Sequence, residues 1–399
     1  MIDKKISKRL EALSVSATLA MTQRSRDLSA QGYDVINLSI GEPDFDTPDF
    51  IKEAAIKAIQ ENLTHYPPVP GYPELRKAIS DKFARENDLN IASEQIVVST
   101  GAKQSLINVL LSVVNPDDEV LIPAPYWVSY IEMVKVAEGK PVVLPCGIES
   151  DFKLTPEQLE DAITPKTRAI IYSSPSNPTG SLYTKLELEA LANVLAKHKN
   201  IIILSDEIYE HINFRGKHES IAQFQQVKDQ TVIVNGVSKG YAMTGWRIGY
   251  IGAPLWIAKA CTKLQGQFTS GACSIAQKAA EAALNGGVEA SQKMTKVFET
   301  RRDLFLKGIR DIPGMKVNEP GGAFYLFPEV TAYLGKSFEG KLIETSGDLA
   351  MYLLENAHVA TVGGDAFGAP ECLRFSYATS EENIEEALRR VKEALNLLQ

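Results

Sequence analysis

The sequence predicts an α/β protein: a large domain with a mostly parallel seven-stranded sheet covered by helices, plus a smaller α/β domain formed by the N-terminal segment and the C-terminal third. Three observations predict it. Seven short apolar, β-rich runs lie between Ile96 and Gly252. Helical patterns alternate with them, as βαβ units require. After about Gly286 the alternation gives way to a different pattern.

Taken in chain order, the first 45 residues do not join the alternation and are expected to pack with the C-terminal part. The strands are expected at IVVS, VLIP, VVLP, AIIYSS, IIILS, VIVN and IGYIG. Between them, AKQSLINVLLSVV and KLELEALANVLAKH repeat apolar residues at three- and four-residue steps, the period of a helix with one buried face. From Gly286 a long charged helical stretch, EASQKMTKVFETRRDLFLKGIRDI, leads into a segment with fewer strong strands. The organisation expected is therefore an N-terminal segment over 1–45, a large domain over 46–286 and a small domain over 287–399. No repeats or low-complexity tracts interrupt it.

The chain has 399 residues, 44% of them hydrophobic, which is enough for two or three cores. A net charge of −8, with Lys and Arg scattered among acids, argues against a nucleic-acid partner. Four cysteines form no C-x-x-C pair and stand near no histidine at ligand spacing, so no metal site is expected and free thiols in a reducing compartment are. No apolar run reaches membrane-spanning length and the N-terminus lacks a continuous apolar region, so a soluble cytoplasmic protein is expected.

In open parallel sheets ligands sit beyond the carboxyl ends of the strands, so the residues after each apolar run are those to inspect. After IVVS, Gly101-Ala102-Lys103 opens a helix whose free N–H groups and dipole suit an anion such as a phosphate. After AIIYSS, the turn PSNPTG presents Asn177. After IIILS, Asp206 and Tyr209 stand three residues apart in DEIYEH, as suits two groups facing one ligand. After VIVN come Ser238 and Lys239, then Arg247, a planar bidentate donor for phosphate.

Ser238 and Lys239 admit two chemistries. Gly236, Ser238 and Gly240 fit G-x-S-x-G, the nucleophile elbow of a serine hydrolase. Against it, GYAMTGW with its two glycines is a poor helix to follow an elbow, and only His358 lies downstream. The second chemistry gives the work to Lys239, whose amine would hold an aldehyde cofactor as a Schiff base. One ligand would use all four strand ends: pyridoxal phosphate, whose aldehyde needs a lysine, ring nitrogen a carboxylate, ring oxygen a donor and phosphate an anion site.

With these positions goes a resemblance over almost the whole chain. SIGEPDFDTP, HYPPVPGYPELR, STGAKQ, APYWVSY, SPSNPTG, SDEIYEH, SKGYAMTGWRIGY and LRFSYATSEEN resemble, in order and spacing, the motifs of fold-type I pyridoxal-phosphate aminotransferases of class I/II, and among them the prokaryotic type of aspartate aminotransferase. The resemblance implies roles residue by residue. Lys239 is the Schiff-base lysine, Asp206 the partner of the ring nitrogen, and Tyr209 and Asn177 the donors to the ring oxygen. Gly101, Ala102, Lys103, Ser238 and Arg247 form the phosphate site, and Trp127 stacks on the ring. Tyr66 reaches the phosphate from a neighbouring subunit, so a homodimer with shared sites is expected. Arg374 clamps the substrate's α-carboxylate, and the backbone of Gly41 lines the substrate pocket.

The expected reaction is ping-pong transamination of L-aspartate and 2-oxoglutarate to oxaloacetate and L-glutamate, with amino acids and 2-oxo acids as the small-molecule partners. Lys103 would meet the distal carboxylate, and SVSATLAM, with Ser16 and Thr18, resembles the segment that closes over it. Aromatic or other neutral donors are the alternative. A cofactor-sensing regulator of the same fold is a more distant one; it would need a DNA-binding domain, for which motifs starting so near the N-terminus are expected to leave no room.

Overall fold

A computed structural model describes residues 6–399. The seven expected strands form one sheet: β1 (Ile96–Ser99), β2 (Glu119–Ala124), β3 (Lys140–Pro145), β4 (Thr167–Ser173), β5 (Ile202–Asp206), β6 (Thr231–Gly236) and β7 (Gly249–Gly252). Their spatial order is β1-β7-β6-β5-β4-β2-β3. All pairings are parallel except those of β7, which runs antiparallel to both β1 and β6. Reversing one strand puts the residues before β7 at the same edge as the residues after β1, β4, β5 and β6.

Why these runs read as continuous apolar stretches is clear from their burial. Every residue of β1, β5, β6 and β7 is buried, because helices cover a parallel sheet on both faces. Val97, Ile122, Ile171, Leu204, Val234 and Ile251 face one core with helix Ala102–Val113. On the other face Leu121, Ile170 and Ile203 pack against helix Lys185–Leu195, and Val98, Ile233 and Tyr250 against helices Pro73–Asn87 and Ser274–Asn285. Only β3 is largely unburied. As an edge strand it tolerates Pro141 and Pro145, whose missing N–H groups would break a central ladder.

The long charged stretch is a helix, Glu289–Arg310. Its apolar stripe, with Phe298 and Phe305, joins a separate core with Leu349, Phe375 and Ile384. Met21, Ile36 and Leu38 enter that same core, and Ile36–Asn37 pairs in parallel with Val359–Ala360. A three-stranded antiparallel sheet nearby carries Leu373–Ser376, and with it Arg374. Among the described residues no helix is long and apolar enough to cross a membrane.

Candidate active site

The carboxyl edge of the large sheet borders a cavity of about 400 Å³. Thr18, Gly41, Ala102, Lys103, Trp127, Asn177, Asp206, Tyr209, Ser238, Lys239, Arg247 and Arg374 all line it. Of the residues singled out in the sequence, two do not. Gly101 lies just behind the lining as the cap of helix Ala102–Val113. Tyr66 is 95% exposed on the surface, and the chain does not bring it to the cavity.

Lys239 follows the end of β6. Its Nζ donates to the Gly41 carbonyl at 2.5 Å and lies 5.8 and 5.9 Å from the ring centres of Tyr209 and Phe324. Burial pushes its pKa down to about 8; the Arg247 and Arg374 cations push the same way, against the pull of Glu42 and Asp206. A lysine so placed supplies neutral amine near physiological pH, the form that attacks a carbonyl.

Asp206 closes β5 and is 4% exposed. Its Oδ2 accepts from the Tyr130 hydroxyl at 2.7 Å and its Oδ1 from the Ile208 amide at 3.3 Å. Burial pushes its pKa up to about 6, while both hydrogen bonds pull it back. A positive charge beside it would favour its ionised form, so it fits a protonated pyridine nitrogen. The chain leaves β5 in a hydrogen-bonded turn, with Glu210 N–H to Glu207 carbonyl at 2.9 Å, which brings Tyr209 round to the same cavity. The Tyr209 hydroxyl lies 2.7 Å from that of Tyr325, and burial holds its pKa well above the phenol range. It therefore stays a donor.

At one end of the cavity Arg374 is 1% exposed. It donates from Nη1 to Asn177 Oδ1 at 3.1 Å and from Nη2 to the Ser39 carbonyl at 2.5 Å, and its guanidinium lies 4.7 Å from the Tyr325 ring centre. Its Nε has no partner, and no carboxylate pairs with it among the described residues. A buried cation held only by neutral acceptors is costly alone and well matched to a carboxylate, which it can grip with two parallel bonds.

At the other end Gly101, at φ +83°, turns the chain from β1 into helix Ala102–Val113, whose first N–H groups, those of Ala102 and Lys103, have no carbonyl partner. Gly249 lets this helix start lie against β7, since a Cβ there would meet the Ala102 nitrogen at 2.1 Å. Arg247 reaches over Gly101, with Nη1 donating to the Thr244 carbonyl at 3.0 Å. The Lys103 ammonium lies 4.8 Å from the Trp127 ring centre, and partial burial, with Arg247 nearby, lowers its pKa. A helix N-terminus with two cations beside it suits a phosphate. Amine, carboxylate, phenol and anion cradle thus fit pyridoxal phosphate.

Two residues escaped the sequence reading. Tyr130 lay inside the quoted motif APYWVSY but reads there as one more apolar helical position. Tyr325 sits in YLF, which reads as a short strand; nothing in the sequence signals that its hydroxyl meets Tyr209.

The family profile "Aminotransferase class I and II" matches residues 33–391. The chain belongs to this family. It is therefore a pyridoxal-phosphate-dependent aminotransferase. Its relatives include an aspartate/prephenate aminotransferase of Nitrosomonas europaea, 46% identical over 98% of this chain and 100% of the other. In structure the aminotransferase is similar to an aspartate aminotransferase from Rhizobium meliloti, with TM-score 0.95 at 45% identity, covering 99% of this chain and 100% of that one. Aspartate aminotransferase of Thermus thermophilus with maleate matches with TM-score 0.91 at 41% identity, over 98% of this chain and 100% of that one.

Proposed function

We propose that this aminotransferase moves the amino group of L-aspartate to 2-oxoglutarate, giving oxaloacetate and L-glutamate in two half-reactions at one site. One observation carries the choice of a dicarboxylic donor. Arg374 and Lys103 present cations to a single cavity, and neither has a carboxylate partner among the described residues. An amino acid with an α-carboxylate and a distal carboxylate satisfies both.

Pyridoxal phosphate, when bound, supplies the aldehyde that takes up the amino group and a ring that accepts electrons from the substrate's α-carbon. The chain supplies the rest. Lys239 would hold the aldehyde, and its Nζ is placed to take and return the substrate's α-proton. Asp206 keeps the ring nitrogen protonated, Tyr209 and Asn177 orient the ring oxygen, and Trp127 covers the ring face. Gly101, Ala102, Lys103, Ser238 and Arg247 hold the phosphate. Arg374 orients the α-carboxylate, while Gly41 and Thr18 bound the pocket. The names of relatives support a second acceptor, prephenate, which also carries two carboxylates.

The enzyme acts as a homodimer, with Tyr66 reaching the phosphate site of the neighbouring subunit; the exposure of Tyr66, and of Ile56, Ile59 and Phe268, supports a covered face. Sedimentation of the holoenzyme tests it. Residues 46–286 serve as the cofactor domain, and 287–399 with the N-terminal segment as the smaller one. Four unpaired cysteines support a cytoplasmic location. The deciding experiment is kcat/KM for aspartate, glutamate, alanine and phenylalanine. Neutral donors equal to aspartate would overturn the assignment.

A further inference from the structure

The turn after β5 has two faces. Asp206 and Tyr209 face the cavity, whereas Glu207 and Glu210 are 1% and 5% exposed and bond elsewhere. Glu207 Oε1 accepts from the hydroxyls of Ser205 at 2.9 Å and Ser220 at 2.6 Å, and its Oε2 lies 2.9 Å from His218 Nε2. Glu210 meets the ammonium of Lys82, a residue with no solvent exposure, and accepts from Asn87 Nδ2 at 3.0 Å. Lys82 in turn donates to Asn87 Oδ1 at 2.8 Å. The next residue, His211, pairs with Glu86 at 2.8 Å, and its ring lies against Gly240, where a Cβ would meet Nδ1 at 2.6 Å. Gly240 directly follows Lys239.

Ion pairs this deeply buried are a poor source of stability, since apolar side chains of similar volume do as well or better. What they provide is a fixed register. Each carboxylate here has its partners at set distances on other elements, so the turn can seat in one way. The same turn carries two of the groups that face the cofactor, and the network also braces the segment that carries the lysine.

We propose that Glu207 and Glu210, with His218 and Lys82 as their hydrogen-bond partners, are positioning residues for transamination: they fix turn 206–211 so that the Asp206 carboxylate and the Tyr209 hydroxyl stand at the cofactor ring. This rests on the reading that Asp206 and Tyr209 serve that ring. The network itself touches no substrate.

The test compares Glu207→Ala with Glu207→Gln, whose amide oxygen still accepts from both serines. In the holoenzyme, Glu207→Ala is expected to lower kcat about ten- to hundredfold, with KM for aspartate within about twofold, as a misplaced group does. Titration of the cofactor-free protein with pyridoxal phosphate should show weaker binding. Glu207→Gln should restore most of both. Should Glu207→Ala not fold, Ser220→Ala decides, because it removes one hydrogen bond to Glu207 outside the cavity; the same split, smaller in size, is expected. Wild-type kcat and cofactor affinity with only a lower melting temperature would overturn the proposal. Asp206→Asn run alongside separates the two ideas. If it turns over normally, the role of Asp206 itself fails; if it is slow while Glu207→Ala is normal, only the network's role does.

Discussion

Tyr130 donates its hydroxyl to Asp206 Oδ2 at 2.7 Å from a position 76 residues earlier in the chain. It does so from helix Ser129–Val136, with its ring edge-on to Trp127 at 5.6 Å. One short segment therefore places both Trp127 in the cavity wall and the donor to the Asp206 carboxylate. Burial, reinforced by Asp206, holds the Tyr130 phenol well above its ordinary pKa, so it remains a donor across the working range.

Tyr130→Phe removes a bond that pulls the Asp206 pKa down, so the value of about 6 in the cofactor-free protein should rise. A hydrogen bond to a charged group contributes about 1.5–3 kcal/mol, or roughly one to two pH units. The acid limb of kcat is expected to move to higher pH by up to that amount. A limb that stays in place would show that Tyr130 does not tune the carboxylate.

Asp206 also sets a stability dependence in the cofactor-free protein. Its pKa is raised from 3.8 unfolded to about 6 folded, so the folded state holds the proton more tightly. That contribution is full below 3.8 and is lost as pH rises through 6. Above 6 the buried carboxylate costs on the order of 1–3 kcal/mol. Asp206→Asn should thus melt later than wild type above pH 6 without cofactor, yet bind cofactor less tightly and turn over more slowly. Denaturant unfolding at two pH values, one on each side of this window, measures it.

Arg374→Ala should reduce kcat/KM for every donor, because all amino acids bring the α-carboxylate it meets. Leaving that carboxylate unpaired costs on the order of 2–5 kcal/mol, about 30- to several-thousand-fold. Arg374→Lys keeps the charge but loses the planar fork, and should recover only part. Loss confined to one class of donor would remove Arg374 from the common clamp.

Lys103→Ser should instead divide the donors. Aspartate and glutamate lose the cation for their distal carboxylate, with a penalty of the same order if the pair is desolvated, about 2–5 kcal/mol. Alanine and phenylalanine should change little. Equal loss across all four would place Lys103 in the phosphate site alone, which its position beside Arg247 also permits.

The sheet and its edge were legible because buried parallel strands leave unbroken apolar runs, and the residues just past each run have one place to go. Asp206, Lys239 and Asn177 could be named on that ground. Arg374 could not, since it sits in a short strand of another sheet and was reached only by resemblance. Tyr130 and Tyr325 were invisible for a different reason: in a buried helix or strand an aromatic residue reads as packing, and its hydroxyl shows its use only when the partner is in view. The Lys82–Glu210 contact joins residues 128 apart, a separation no local pattern reports.

The reversed strand β7 has a consequence for how this enzyme can vary. Gly236 and Gly249 face each other in the β6–β7 ladder, so residues 237–248 form a loop whose two feet are pinned side by side. The lysine leaves from one foot and the guanidinium returns at the other. Insertion or deletion anywhere between them would shift Lys239 against Arg247, the two groups proposed to hold the aldehyde and the phosphate, whose separation is fixed by the ligand and indifferent to the protein. Length drift should therefore be purged from this loop while residues 12–16, which reach the same cavity at Ser16 but belong to no ladder, are free to accumulate it; the chain's room to acquire new donors lies at that end.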